Sequence, residues 1–150
     1  MNKHLLLAAS LLAALMASIT HAQESHTMNN DIQAVATAQA LIDRHFEIWN
    51  DRNGETRLSK FPSLYTDDFS VADYAAEAIG YPAVNQLIER VQTQHEGFVF
   101  SPEPVAWNHG IGRVRWGFGP KANPDLVRGE DIFTVREGKL QSMHVFLDNN

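Results

Sequence analysis

Near Gly97 the spacing of apolar residues changes from a helical period to strict alternation, and that change constrains the fold more than any single motif. Upstream, Asp31 to Asp51 stepped at about 100° per residue places Ala38, Ile42, Phe46 and Trp49 on one arc, with His45 near its centre. Asp43, Arg44, Glu47, Asn50 and Asp51 fall on the opposite arc. The pattern predicts an amphipathic helix wide enough to pack on a sheet, capped by Asp31 and ended by Asn53-Gly54. Downstream, four β segments are predicted: Phe98 to Trp107, Ile111 to Phe118, Val127 to Val135 and Leu140 to Leu147. Their short connections, at Asn108-His109-Gly110, Gly119-Pro120 with Asn123-Pro124, and Arg136 to Lys139, make them antiparallel neighbours.

Between these halves, Glu55 to Tyr65 reads as a second helix broken at Pro62, and Thr66-Asp67-Asp68 as a turn into a strand at Phe69 to Tyr74. Ala75 to Gly80 reads equally as a weak strand or a loop. A third helix opens at Pro82, carries Val84, Leu87, Ile88 and Val91 on one stripe, and stops at Gly97. Helices first and a meander last describe an α+β domain with helices covering one face of a curved sheet.

The average composition hides a different N-terminus. Residues 1 to 22 read as a secretory signal peptide: Lys3 and His4, an apolar run from Leu5 to Ala17, and small residues around a cleavage bond after Ala22. The run is shorter than the roughly 20 residues that a spanning helix needs. Residues 23 to 30 (QESHTMNN) read as a disordered leader, and 31 to 150 as one domain. The expected location is therefore periplasmic or secreted, with no membrane attachment after cleavage. With no cysteine in the chain, disulfides, thiolate metal sites and cysteine nucleophiles are excluded. A formal net charge of -6 without a basic run argues against a nucleic-acid partner.

The order of elements, together with Leu64-Tyr65-Thr66-Asp67-Asp68-Phe69, Trp116-Gly117-Phe118-Gly119-Pro120 and Gly129-Glu130-Asp131-Ile132-Phe133-Thr134-Val135, resembles the SnoaL-like branch of the nuclear transport factor 2-like (NTF2-like) superfamily. The resemblance implies a conical α+β barrel, N-terminal helices on a curved antiparallel sheet, a homodimer formed through the sheet, and a pocket between sheet and helices. It does not imply one reaction, because that fold carries isomerases, cyclases, dehydratases and binding modules alike.

Alternation decides which polar residues face such a pocket. If Val114, Trp116 and Phe118 point inward, so do Phe133 and, on the same face, Asp131. Asp73 shares the face of Val71. Laid against a ketosteroid isomerase, Asp73 falls at the general-base carboxylate, Asp131 at the protonated acid, and His45 where that enzyme has a tyrosine. Two carboxyls in an apolar cavity can take different pKa values and divide into base and neutral donor. Tyr65, Phe46, Trp49, Trp116, Phe118, Val114, Phe133 and Val145 are the expected lining of a pocket for a small hydrophobic molecule. No histidine pair has ligand spacing and no glycine-rich phosphate loop follows a strand, so neither a metal nor a cofactor is expected. Two readings stay open: cofactor-independent proton-transfer chemistry of the isomerase, cyclase or lyase type, or a non-catalytic ligand-binding or dimeric assembly module.

Overall fold

The computed structural model describes residues 32–148; the expected signal peptide, the leader and the Asp31 cap lie outside the described residues. The chain divides into two compact units, Met1–Ala36 and Thr37–Asn150, and the core and site below belong to the second. The first helix, α1, covers residues 32–50. Its apolar arc is buried as its period demands, with Ala38, Ile42, His45, Phe46 and Trp49 each less than a tenth exposed.

Helix α2 runs Gly54–Leu64. Asn53 opens it, accepting from the Thr56 N–H at 2.9 Å, so Asn53-Gly54 starts α2 and does not close α1. Pro62 lies inside the helix without breaking it. The bond it removes belongs to the carbonyl of Leu58, an exposed residue where water can take over. Strand β1, Tyr65–Ala72, follows with no intervening loop. The expected turn at Thr66-Asp67-Asp68 is instead an irregular stretch of strand. The register shifts there, both aspartates face solvent, and they are held by Tyr81 and Arg136 respectively.

A short strand β2 (Glu77–Ile79) pairs antiparallel with β1 and leads to helix α3, Tyr81–Gln94. The expected single strand from Phe98 to Trp107 is two, β3 (Val99–Pro102) and β4 (Ala106–Asn108), both paired with β5 (Ile111–Gly119). Pro102 and Pro104 explain the break, since neither can donate to the ladder. Val105 instead turns its N–H to Gln39 Oε1 at 2.8 Å. Strands β6 (Val127–Arg136) and β7 (Lys139–Leu147) complete the sheet, joined through Glu137 and Gly138, both at positive φ.

The sheet order is β2-β1-β7-β6-β5-β3, with β4 also on β5. It is curved, unclosed and mixed: after α3 the chain crosses to the far edge at β3 and returns through β5 and β6 to β7, which lies parallel to β1, while the later strands are antiparallel as expected. Helices cover one face of the sheet and the core lies between, which is the α+β cone architecture. Among the described residues, no helix is long and apolar enough to cross a membrane.

Candidate functional site

Between the helices and the inner sheet face lies a cavity of about 380 Å³. Its walls are mostly apolar, and its titratable lining side chains are Asp131, Asp73, His45, Tyr74 and His95. Of the residues named from the sequence, Phe46, Trp49, Trp116, Phe118 and Val145 lie in its walls. Tyr65, Val114 and Phe133 do not; all three are fully buried in the core. Phe133 lies further along β6, opposite Gly112, where an added Cβ would meet its ring at 2.0 Å. Val114 pairs in register with Asp131 and is fully buried. Tyr65 stands behind His45, stacked on Phe69 with centroids 4.1 Å apart.

Asp131 is 5% exposed and enters no ion pair with any described residue. Arg113 and Arg115 instead approach its neighbour Glu130, whose side chain points to the opposite face of β6. The Asp131 carboxyl takes one strong bond, from Trp116 Nε1 to Oδ1 at 2.9 Å. Strand register makes that bond possible. Trp116 pairs with Gly129, two residues from Asp131 on the same face, and its ring crosses the space where a Gly129 Cβ would lie 2.7 Å from it. Burial pushes the Asp131 pKa up to about 7; the Trp116 N–H partly offsets this and the Glu130 charge adds to it.

His45 is 2% exposed, with Nδ1 3.0 Å from the Tyr65 hydroxyl. Burial lowers its pKa to about 3, so the imidazole is neutral at physiological pH. Burial raises the Tyr65 pKa, and its hydroxyl keeps its proton. Asp73 is placed differently. It is exposed at the cavity mouth, where Oδ1 accepts the Ala75 and Ala76 N–H groups at 2.8 and 2.9 Å in an Asx turn. The cavity thus brings Asp131, His45 and Asp73 to one space, the first two buried and the third at its rim.

Sequence reading missed His95, Phe100 and Tyr74 in the lining. His95 had a signal: Leu87 and Val91 on α3 and His95 at its C-cap repeat every four residues, and all three line the cavity. Among the described residues no group of His, Asp or Glu is arranged to hold a metal ion.

No protein-family model matches the sequence, and no curated protein matches it. Solved structures do. A candidate isomerase of the SnoaL-like family from Agrobacterium tumefaciens str. C58 superposes with TM-score 0.70 at 17% identity, covering 76% of this chain and 99% of that one. A candidate SnoaL-like polyketide cyclase from Jannaschia sp. CCS1 gives 0.62 at 17% identity, over 75% and 86% of the two chains. A candidate ketosteroid isomerase from Kribbella flavida DSM 17836 gives 0.58 at 12% identity, over 77% and 81%. The chain therefore has the NTF2-like fold of the SnoaL-like and ketosteroid isomerase-like proteins.

Proposed function

We propose that this chain is exported through a cleaved signal peptide at residues 1–22 and binds a small hydrophobic molecule in the cavity. There it shifts a proton between atoms of that molecule without a cofactor, as isomerases, cyclases and lyases of this type do. The observation that carries the reading is the Asp131 carboxyl, buried against an apolar cavity with, among the described residues, one N–H donor and no cation. A carboxyl with a pKa of about 7 is populated in both forms at neutral pH, so it can take a proton from one position of the ligand and return it to another. Neutral His45 serves as orienter or hydrogen-bond donor. Asp73 is the second carboxylate of the set, at the mouth. The cavity volume falls within the range that encloses drug-sized ligands. The homodimer belongs to the same reading, formed through the outer sheet face where Phe146 is exposed.

A second reading, a non-catalytic binding module, draws on Asp73, whose Oδ1 is already committed to the Ala75 and Ala76 N–H groups of its own turn. A thermal-shift screen of ring-sized apolar ketones and esters on the mature chain tests both, with Asp131→Asn alongside. Turnover of a stabilising compound that disappears in Asp131→Asn is the expected result. Stabilisation that Asp131→Asn retains, with no turnover by either protein, would leave the binding module as the function.

A further inference from the structure

We infer that Tyr65 is the positioning residue of this site: its hydroxyl donates to His45 Nδ1, holds the imidazole as the Nε2–H tautomer, and thereby presents a hydrogen-bond donor to the cavity. Hydrogen accounting carries the assignment. Tyr65 is fully buried, and its hydroxyl has one hydrogen-bond partner among the described residues, His45 Nδ1 at 3.0 Å. If Nδ1 carried the proton and donated it to the tyrosine oxygen, the hydroxyl proton would be stranded in a dry core, which is costly. The reverse arrangement strands nothing.

Trp49 supplies the second observation. Its Nε1 is buried and completes no hydrogen bond of its own, yet the indole lies where it favours negative charge on the Tyr65 oxygen. A donor on that side of the oxygen directs the hydroxyl proton the other way, toward His45. Trp49 and His45 are one turn apart on α1, with ring centroids at 5.4 Å, so the indole and the imidazole flank the same hydroxyl. His45 lines the cavity while Tyr65 does not, so the remaining nitrogen belongs to the cavity side. Nε2 makes no hydrogen bond to any described residue, and His45 is one of the side chains that line the cavity.

The consequence is a rule of recognition. A neutral Nε2–H selects an acceptor atom on the ligand, such as a carbonyl oxygen, and disfavours a ligand that offers only apolar surface there. This part rests on the cavity being a ligand site, as proposed above; the tautomer does not.

Two-bond proton–nitrogen correlation spectra of the mature chain at pH 7 read the tautomer directly. The expected pattern for His45 is a protonated Nε2 and a bare Nδ1. Tyr65→Phe retains the ring stack on Phe69 and removes only the hydroxyl, and it is expected to move His45 to a mixture of tautomers with the other histidine signals unchanged. A wild-type Nδ1–H pattern would overturn the assignment, and so would a His45 pattern that Tyr65→Phe leaves untouched. If that variant does not fold, the wild-type spectrum alone decides. In a binding arm, 2-acetylnaphthalene should bind more tightly than 2-ethylnaphthalene, and Tyr65→Phe should erode that preference by up to about tenfold, the worth of one hydrogen bond. Should neither probe bind while the tautomer is as expected, the ligand reading fails and the positioning role of Tyr65 stands.

Discussion

Two buried ionisable side chains, Arg57 on α2 and Asp131 on β6, have been given different surroundings. Arg57, 1% exposed, donates from Nε to Asn85 Oδ1 at 3.1 Å and from Nη1 to the Asp51 carbonyl at 2.7 Å and Gln92 Oε1 at 3.0 Å. Gln92 in turn reaches the Trp49 and Asp51 carbonyls at 2.7 and 3.0 Å. The cluster satisfies the carbonyls at the end of α1 and ties that end to α2 and α3. Burial lowers the Arg57 pKa, but a guanidinium starts so high that it stays charged. Asp131 is nearly as buried, yet it has one donor and an open cavity beside it. Several fixed partners make a buried charge a fastener; one partner and a cavity leave a carboxyl whose proton is free to come and go.

That contrast should break first at Arg57. Arg57→Leu strands the side-chain oxygens of Gln92 and Asn85 and leaves the Asp51 carbonyl to Gln92 alone, and at about 1–3 kcal/mol per stranded group the loss should reach roughly 2–5 kcal/mol in urea unfolding. A loss below about 1 kcal/mol would show that the cluster is not a fastener.

Asp131 should reveal itself through pH. Its folded pKa, about 7, lies above its ordinary 3.8, so the neutral group is favoured in the fold. The associated stability is present below about 3.8 and lost as pH rises through about 7, a change on the order of a few kcal/mol. His45 acts in the opposite sense, because its pKa is depressed from 6.5 to about 3. Its stability is present above 6.5 and lost as pH falls toward 3. Unfolding midpoints of Asp131→Asn should therefore rise steadily from pH 3 to 6.5, while the wild type should be flatter there and decline between about 6.5 and 7.5. Identical profiles would mean that Asp131 is solvated.

Gly129→Ala should cost about 1–3 kcal/mol by overpacking the Trp116 ring, and by shifting that ring it should weaken the hydrogen bond to Asp131. Because that bond holds the pKa down, an NMR titration of the Asp131 carboxyl should move upward. The smallest effect belongs to Asp73. Asp73→Ala loses the acceptor of the Asx turn and about 1 kcal/mol or less, whereas Asp73→Asn keeps an acceptor oxygen and should be near neutral in thermal melts.

Much of this arrangement was legible from period alone. Alternation on β6 and β7 placed Asp131 and Val145 on the inner face, and the α1 wheel buried His45. The spacing Arg57-Phe61-Leu64 also marks one helix face, and all three are buried, but a charged residue at its start hides the pattern. Thr66-Asp67-Asp68 misled because turn chemistry and a strand irregularity call for the same short polar residues. Phe133 shares the inner face with Asp131, and only the ring's position over Gly112 shows that it fills core and not cavity.

What the sequence by itself determined is therefore which side chains turn inward, since that follows from local backbone geometry with periods of two and 3.6. The tertiary structure decided what each inward group meets. Trp116 reaches Asp131 through the register of two strands, Tyr65 reaches His45 from the far end of α2, and Asp73 spends an oxygen on its own turn. Two of these partnerships join residues distant in the chain, and the third depends on where a strand ends. Hydrogen-bond partners set the pKa and tautomer of a buried group, and periodicity carries no record of them.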